Sequence, residues 1–84
     1  MRANRPMPRY FFHIRTADEL ILDPDGSDLP DLDAARCEAV QSARDLVANL
    51  LREGQILDGQ AFEISDEADN VLERVTFRSV IRLP

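Results

Sequence analysis

The chain has one cysteine, Cys37, in 84 residues, so no disulfide can form within it. There is no tryptophan, all ten basic residues are arginine, and His13 is the single histidine. One histidine cannot build a multi-histidine metal site, and one cysteine without a CxxC pair cannot build a thiolate zinc site or a dithiol redox centre. Glycine occurs only at 26, 54 and 59, each beside turn or cap residues, so there is no glycine-rich phosphate loop. No apolar run approaches the roughly 18–20 residues of a membrane span. The start, Met1-Arg2-Ala3-Asn4-Arg5-Pro6, is basic but lacks the apolar stretch of a secretory signal. A reducing, cytoplasmic setting without cofactors is the expectation.

What is present is a chain of ordinary globular composition, 44% hydrophobic, with a net charge of −6. That balance disfavours a polyanionic partner, because nucleic-acid binding rests on a basic surface. The length allows one domain with a thin core, and self-association is a common remedy for a thin core. A homodimer is therefore expected.

Residues 1–8, with Pro6 and Pro8, read as a flexible lead-in to a single domain over 9–84, and Met7 is a candidate start. Arg9 to Arg15 is dense in aromatic and β-branched residues and predicts a strand. Alternation puts Tyr10, Phe12 and Ile14 on one face and Phe11, His13 and Arg15 on the other. The second row ends in charge, so the first is expected to face the core. After a polar turn at 16–18, residues 19–22 predict a second strand, followed by the turn Asp23-Pro24-Asp25-Gly26.

Helical spacing of Leu32, Ala35, Ala39, Ala43, Leu46, Val47 and Leu50, widened by Val40 and Leu51, predicts one long helix over about 32–53. Asp31 is placed to cap its start, and Gly54 to end it. The wide apolar coverage leaves room for a partner at the helix edge. Residues 61–65 and 71–77 predict two further strands around the polar turn 66–70, and the tail from Ser79 to Pro84 either extends the last strand past Val80 and Ile81 or forms a short helical turn. The order ββαββ implies an α+β domain, a four-stranded antiparallel sheet with the helix on one face and the other face open.

Several segments resemble a family of short bacterial proteins of unknown function, frequent in rhizobia and related soil proteobacteria. They are Met7-Pro8-Arg9-Tyr10-Phe11-Phe12-His13, then Asp25-Gly26, then Leu29-Pro30-Asp31-Leu32 running into Ala34-Ala35-Arg36, and last Phe62-Glu63-Ile64-Ser65-Asp66-Glu67. The resemblance covers residues 7 to about 78. Members of that family often carry glycine after the Asp-Glu turn, where this chain has Asp69-Asn70. The family implies domain limits and no activity.

Chemistry is sparse. His13 has no nucleophile in motif context, and Cys37, one turn into the helix, has no redox partner. Both read as structural residues, so no enzyme is expected. Asp23 to Asp28 has a partial likeness to a calcium loop but lacks its acidic spacing and its closing glutamate. Arg36 falls inside the apolar arc of the helix and must snorkel or pair. An ion pair with Asp23, Asp25 or Asp28, pinning that loop, is expected. Arg74, Arg78 and Arg82 recur every four residues and, with Arg9 and Arg15, predict a basic strip on the open face beside Phe11 and His13. Pairing of these arginines with Glu63 and Glu73 across strands is the simpler role. The expectation is a non-catalytic protein-interaction or regulatory module. The alternative is a small-ligand or nucleic-acid binder using the face of Phe11, His13, Arg15, Arg74 and Arg78.

Overall fold

The computed structural model describes residues 7–55 and 59–81. Strands β1 (Arg9–Arg15), β2 (Leu20–Ile21) and β3 (Ser27–Asp28) precede helix α1 (Leu32–Arg52), and strands β4 (Ala61–Ser65) and β5 (Val71–Thr76) follow it. A 3₁₀ turn, Arg78–Val80, comes last among the described elements. The class is α+β, but the sheet has five strands rather than four. β1 lies between β4 and the pair β2 and β3, and β5 forms the far edge. All pairings are antiparallel.

The expected second strand is split. Ile14 pairs with Ile21 at one end of β1 and Tyr10 with Ser27 at the other. Residues 11–13 therefore face a longer stretch, 22–26, and the surplus loops out of the ladder. The carboxylate of Asp23 repairs the gap. Its Oδ2 accepts the backbone N–H of Phe12 at 3.1 Å, and its Oδ1 accepts those of Asp25 and Gly26, each at 3.2 Å. This is an Asx turn that also stands in for a missing ladder acceptor.

The helix begins where the sequence placed it. Asp31 is extended and its side chain accepts the Ala34 N–H at 2.8 Å. At the other end, Gln55 N–H bonds to Leu50 O and Gly54 N–H to Leu51 O, with Gly54 at φ 77°. That double closure is a Schellman motif, which needs the left-handed residue glycine provides.

Ala35, Ala39 and Ala43 are fully buried, so the helix backbone sits close on the sheet. They pack with Tyr10, Phe62, Ile64, Val75, Phe77 and Val80, flanked by Phe12, Ile14, Leu46 and Leu50. The row Tyr10, Phe12 and Ile14 thus faces the helix, as alternation implied. Phe62 lies edge-on to Phe12 and tilted to Phe77, at 6.2 and 5.2 Å between centroids, geometries worth about 0.5–1.5 kcal/mol beyond area alone. Leu51, assigned to the apolar arc, is instead 56% exposed, because it falls at the margin of a helix that rests on β4 and β5.

The last strand stops at Thr76 and does not run on toward Ile81. Phe77 turns into the helical region at φ −62°, ψ −35°. Ser79 then bonds back to Thr76, its hydroxyl donating to Thr76 O at 2.7 Å and its N–H to Thr76 Oγ1 at 3.3 Å. A local Ser/Thr network has displaced the ladder. Arg78 consequently leaves the sheet.

Arg36 does not pin the 23–28 loop. Its guanidinium donates to Asp33 Oδ1 at 2.7 Å and to Glu73 Oε1 at 3.2 Å. The physical reason is placement: α1 lies over β4 and β5, and Glu73, opposite the buried Ile64, faces the helix. Arg9 holds the loop instead, with Nε 3.0 Å from Asp28 Oδ1 and an N–H donated to Asp25 O at 2.8 Å.

Candidate functional site

The sheet face away from the helix carries Phe11, His13 and Arg15 of β1, Glu63 and Ser65 of β4, and Arg74 of β5. Two segments rise beside it. On one side the chain from Leu20 through Leu22 to Pro24 forms a wall. On the other stands the turn 66–70 leading into Val71. Two adjoining cavities, of about 330 and 370 Å³, lie between them. His13, Leu22 and Asp69 line both, so they form one groove.

His13 is its fixed point. The side chain is only 9% exposed, and its ring stacks beside Phe11 at 6.1 Å between centroids. Nδ1 accepts the backbone N–H of Asp23 at 3.0 Å. A neutral imidazole whose Nδ1 accepts must carry its proton on Nε2. Nε2 has no protein partner among the described residues, so the groove contains an N–H donor fixed in place by the loop.

Gly26 allows this packing. Its φ is +72°, and a Cβ there would come within 2.9 Å of both Arg9 Cγ and Phe11 Cε2. Phe11 therefore lies against bare backbone. The turn opposite is built on Asp66, whose Oδ1 accepts the N–H groups of Ala68 and Asn70 at 2.9 Å each. It brings Asp69 to φ 65°, a left-handed conformation unusual for a side-chain-bearing residue.

The charges divide along the groove. At the Phe11 end the lining includes Asp23, Glu67 and Asp69 beside His13, and no arginine. Burial acts to raise the Asp23 carboxyl, but the N–H groups of Phe12, Gly26 and Asp25 outweigh it and hold the carboxyl below its ordinary range. At the other end Arg15 Nε donates to Glu63 Oε2 at 3.0 Å. Leu22 and Val71 offer apolar surface at the rim, 64% and 57% exposed.

Of the residues expected on this face, Phe11, His13, Arg15 and Arg74 are on it. The basic strip is not assembled. Arg9 and Arg15 are each paired with a carboxylate, Arg78 sits on the 3₁₀ turn, and Arg82 lies outside the described residues. Glu63 does pair across strands with Arg15, one of the arginines expected to do so, whereas Glu73 pairs with Arg36 of the helix. Arg74 forms no ion pair among the described residues. Leu22, Asp23, Glu67 and Asp69 escaped sequence reasoning as groove residues. The Asp-Pro-Asp-Gly turn next to an aromatic strand was the one available signal for the first two.

On the helix side, a cavity of about 400 Å³ is lined by Ile14, Ile21, Leu46, Leu50 and Phe77, with Thr16, Asn49 and Glu53 among its polar residues. Cys37 is exposed on α1. Among the described residues no three side chains of His, Cys, Asp or Glu are grouped to hold a metal ion, and no helix is long and apolar enough to cross a membrane.

The model of a family described as a domain of unknown function, DUF6894, matches residues 9–78. No curated protein and no solved structure matches the chain.

Proposed function

Because the chain belongs to the DUF6894 family, a domain of unknown function, we propose that it is a non-catalytic protein-interaction module. The open-face groove receives an extended segment of a partner protein. The observation that carries this reading is the Nε2–H of His13. It is a preset hydrogen-bond donor in a groove whose rim residues, Leu22 and Val71, are apolar and exposed. An apolar cleft with a few fixed polar groups is the usual form of a recognition site.

The same bond argues against catalysis by His13. Ser65 and Glu63 line the groove beside it, a set that resembles a hydrolytic triad in composition. A general base for a serine would have to accept its proton at a free nitrogen. Here Nδ1 is occupied by the Asp23 N–H and Nε2 already holds the proton, so the imidazole can donate but not accept.

The test is selection of peptides from a random display library on the full-length chain. Mapping then follows by amide NMR shifts. Selected peptides are expected to shift Phe11, His13, Leu22 and Asp69, and to lose binding to a Leu22→Glu variant that melts like the parent. Peptides that instead map to the Ile21 and Leu50 side, or no selection at all, would overturn the reading.

A further inference from the structure

We infer that the partner segment is basic: an arginine or lysine side chain occupies the Phe11 end of the groove, while His13 Nε2–H donates to a carbonyl of the same segment. This rests on the groove being a protein-binding site.

The charge of the Phe11 end sets the sign. Asp23, Glu67 and Asp69 line it with His13 and without an arginine, in a chain whose net charge is −6. An anionic ligand is repelled, and so is RNA. A second copy of this chain would bring a like net charge to the same rim. An inorganic cation finds no grouped ligands among the described residues. The cation that fits carries its own N–H donors and an apolar stem. Its stem packs on Leu22, and its head meets the carboxylates beside the Phe11 ring, where cation–π attraction adds to ion pairing. Guanidinium suits this better than ammonium, since its planar fork matches carboxylates and stacks on rings.

The second observation is independent of the acids. His13 is nine-tenths buried and held at Nδ1 by the Asp23 N–H, while its Nε2 has no partner among the described residues and is not sealed from solvent, and the residue lines both halves of the groove. A fixed N–H donor calls for an acceptor, and an acidic rim disfavours a charged one. A main-chain carbonyl is the neutral acceptor that comes with a basic side chain.

The experiment titrates the full-length chain with N-acetyl-arginine N-methylamide, and separately with the glutamate analogue, following amide and His13 imidazole signals by NMR. The arginine probe is expected to shift Phe11, His13, Leu22 and Asp69. The shift should weaken with added salt and fall on the order of tenfold in affinity in a Glu67→Gln, Asp69→Asn double variant. Both substitutions keep side-chain size, and asparagine tolerates the left-handed turn, so folding is preserved. Equal response to the glutamate analogue, or an unchanged affinity in the double variant, would overturn the inference. So would displacement of the probe by an RNA oligonucleotide, or by dimerisation that the Leu22→Glu change abolishes. If display-selected peptides occupy the groove but carry no basic residue, the inference falls and the interaction reading stands. If nothing occupies the groove, both fall.

Discussion

The backbone N–H of Asp23 and Nδ1 of His13 meet at 3.0 Å, and this bond ties the broken edge of the sheet to its open face. The loop that splits the second strand also sets the tautomer of the only histidine. Nitrogen-15 NMR should therefore show the neutral form of His13 carrying its proton on Nε2. The Nδ1–H tautomer would contradict the bond.

Gly26 and Gly54 both have positive φ, but only Gly26 is crowded. Alanine at 54 meets nothing within 4 Å and should cost about 1 kcal/mol for the left-handed backbone alone. Alanine at 26 carries the same cost and also pushes Phe11 aside, for about 2–4 kcal/mol in all. Denaturant midpoints of the two variants compare them directly. Equal losses would show that Phe11 does not depend on bare backbone at 26.

Asp69→Gly should stabilise the fold by about 0.5–1 kcal/mol, since glycine takes φ 65° without strain. It also deletes a carboxylate at the proposed cation site. The expected signature is a higher melting temperature together with weaker binding of a basic probe. This is the pattern of strain held at a functional position.

The carboxyl groups of Asp23 and Asp66 titrate below the ordinary aspartate range. For Asp23 the backbone donors outweigh burial, and for Asp66 the Asn70 N–H, then the Asn70 side chain, do most of the lowering. A depressed folded value means their contribution to stability is complete above the unfolded aspartate range. It is lost as pH falls through the folded values. Carboxyl-carbon NMR should give midpoints for both below that range. In the same acid step the amides of Phe12, Gly26 and Asn70 should begin to exchange faster. Midpoints at or above the unfolded range would contradict the turn geometry.

Where local signals were strong, the sequence was legible. Alternation in β1 assigned the Tyr10, Phe12, Ile14 row to the core, and Asp31 with Gly54 bracketed the helix. The failures have local causes. Two-residue strands such as Leu20–Ile21 and Ser27–Asp28 are too short to show any period. The helical phase of Arg36 said that it faced inward, but not which strand it would meet. Chain separation misled there, since Glu73 is far in sequence and Asp23 nearer. Arg78 was placed on the open face because a four-residue repeat suits a strand, but the Thr76–Ser79 bonds had already ended it. The groove needed the Asp23 bond to become visible, and no periodicity encodes a side chain standing in for a ladder acceptor.

The split strand also decides how far such a domain can polymerise. A sheet that grows by adding neighbours needs a receptive border on both flanks. On the β2–β3 flank two short strands interrupted by an Asx loop present no run of free backbone long enough to template another chain. Only β5 offers a continuous border among the described residues. Pairing through one border joins two molecules and then stops, so the geometry permits a closed pair and blocks an endless fibre.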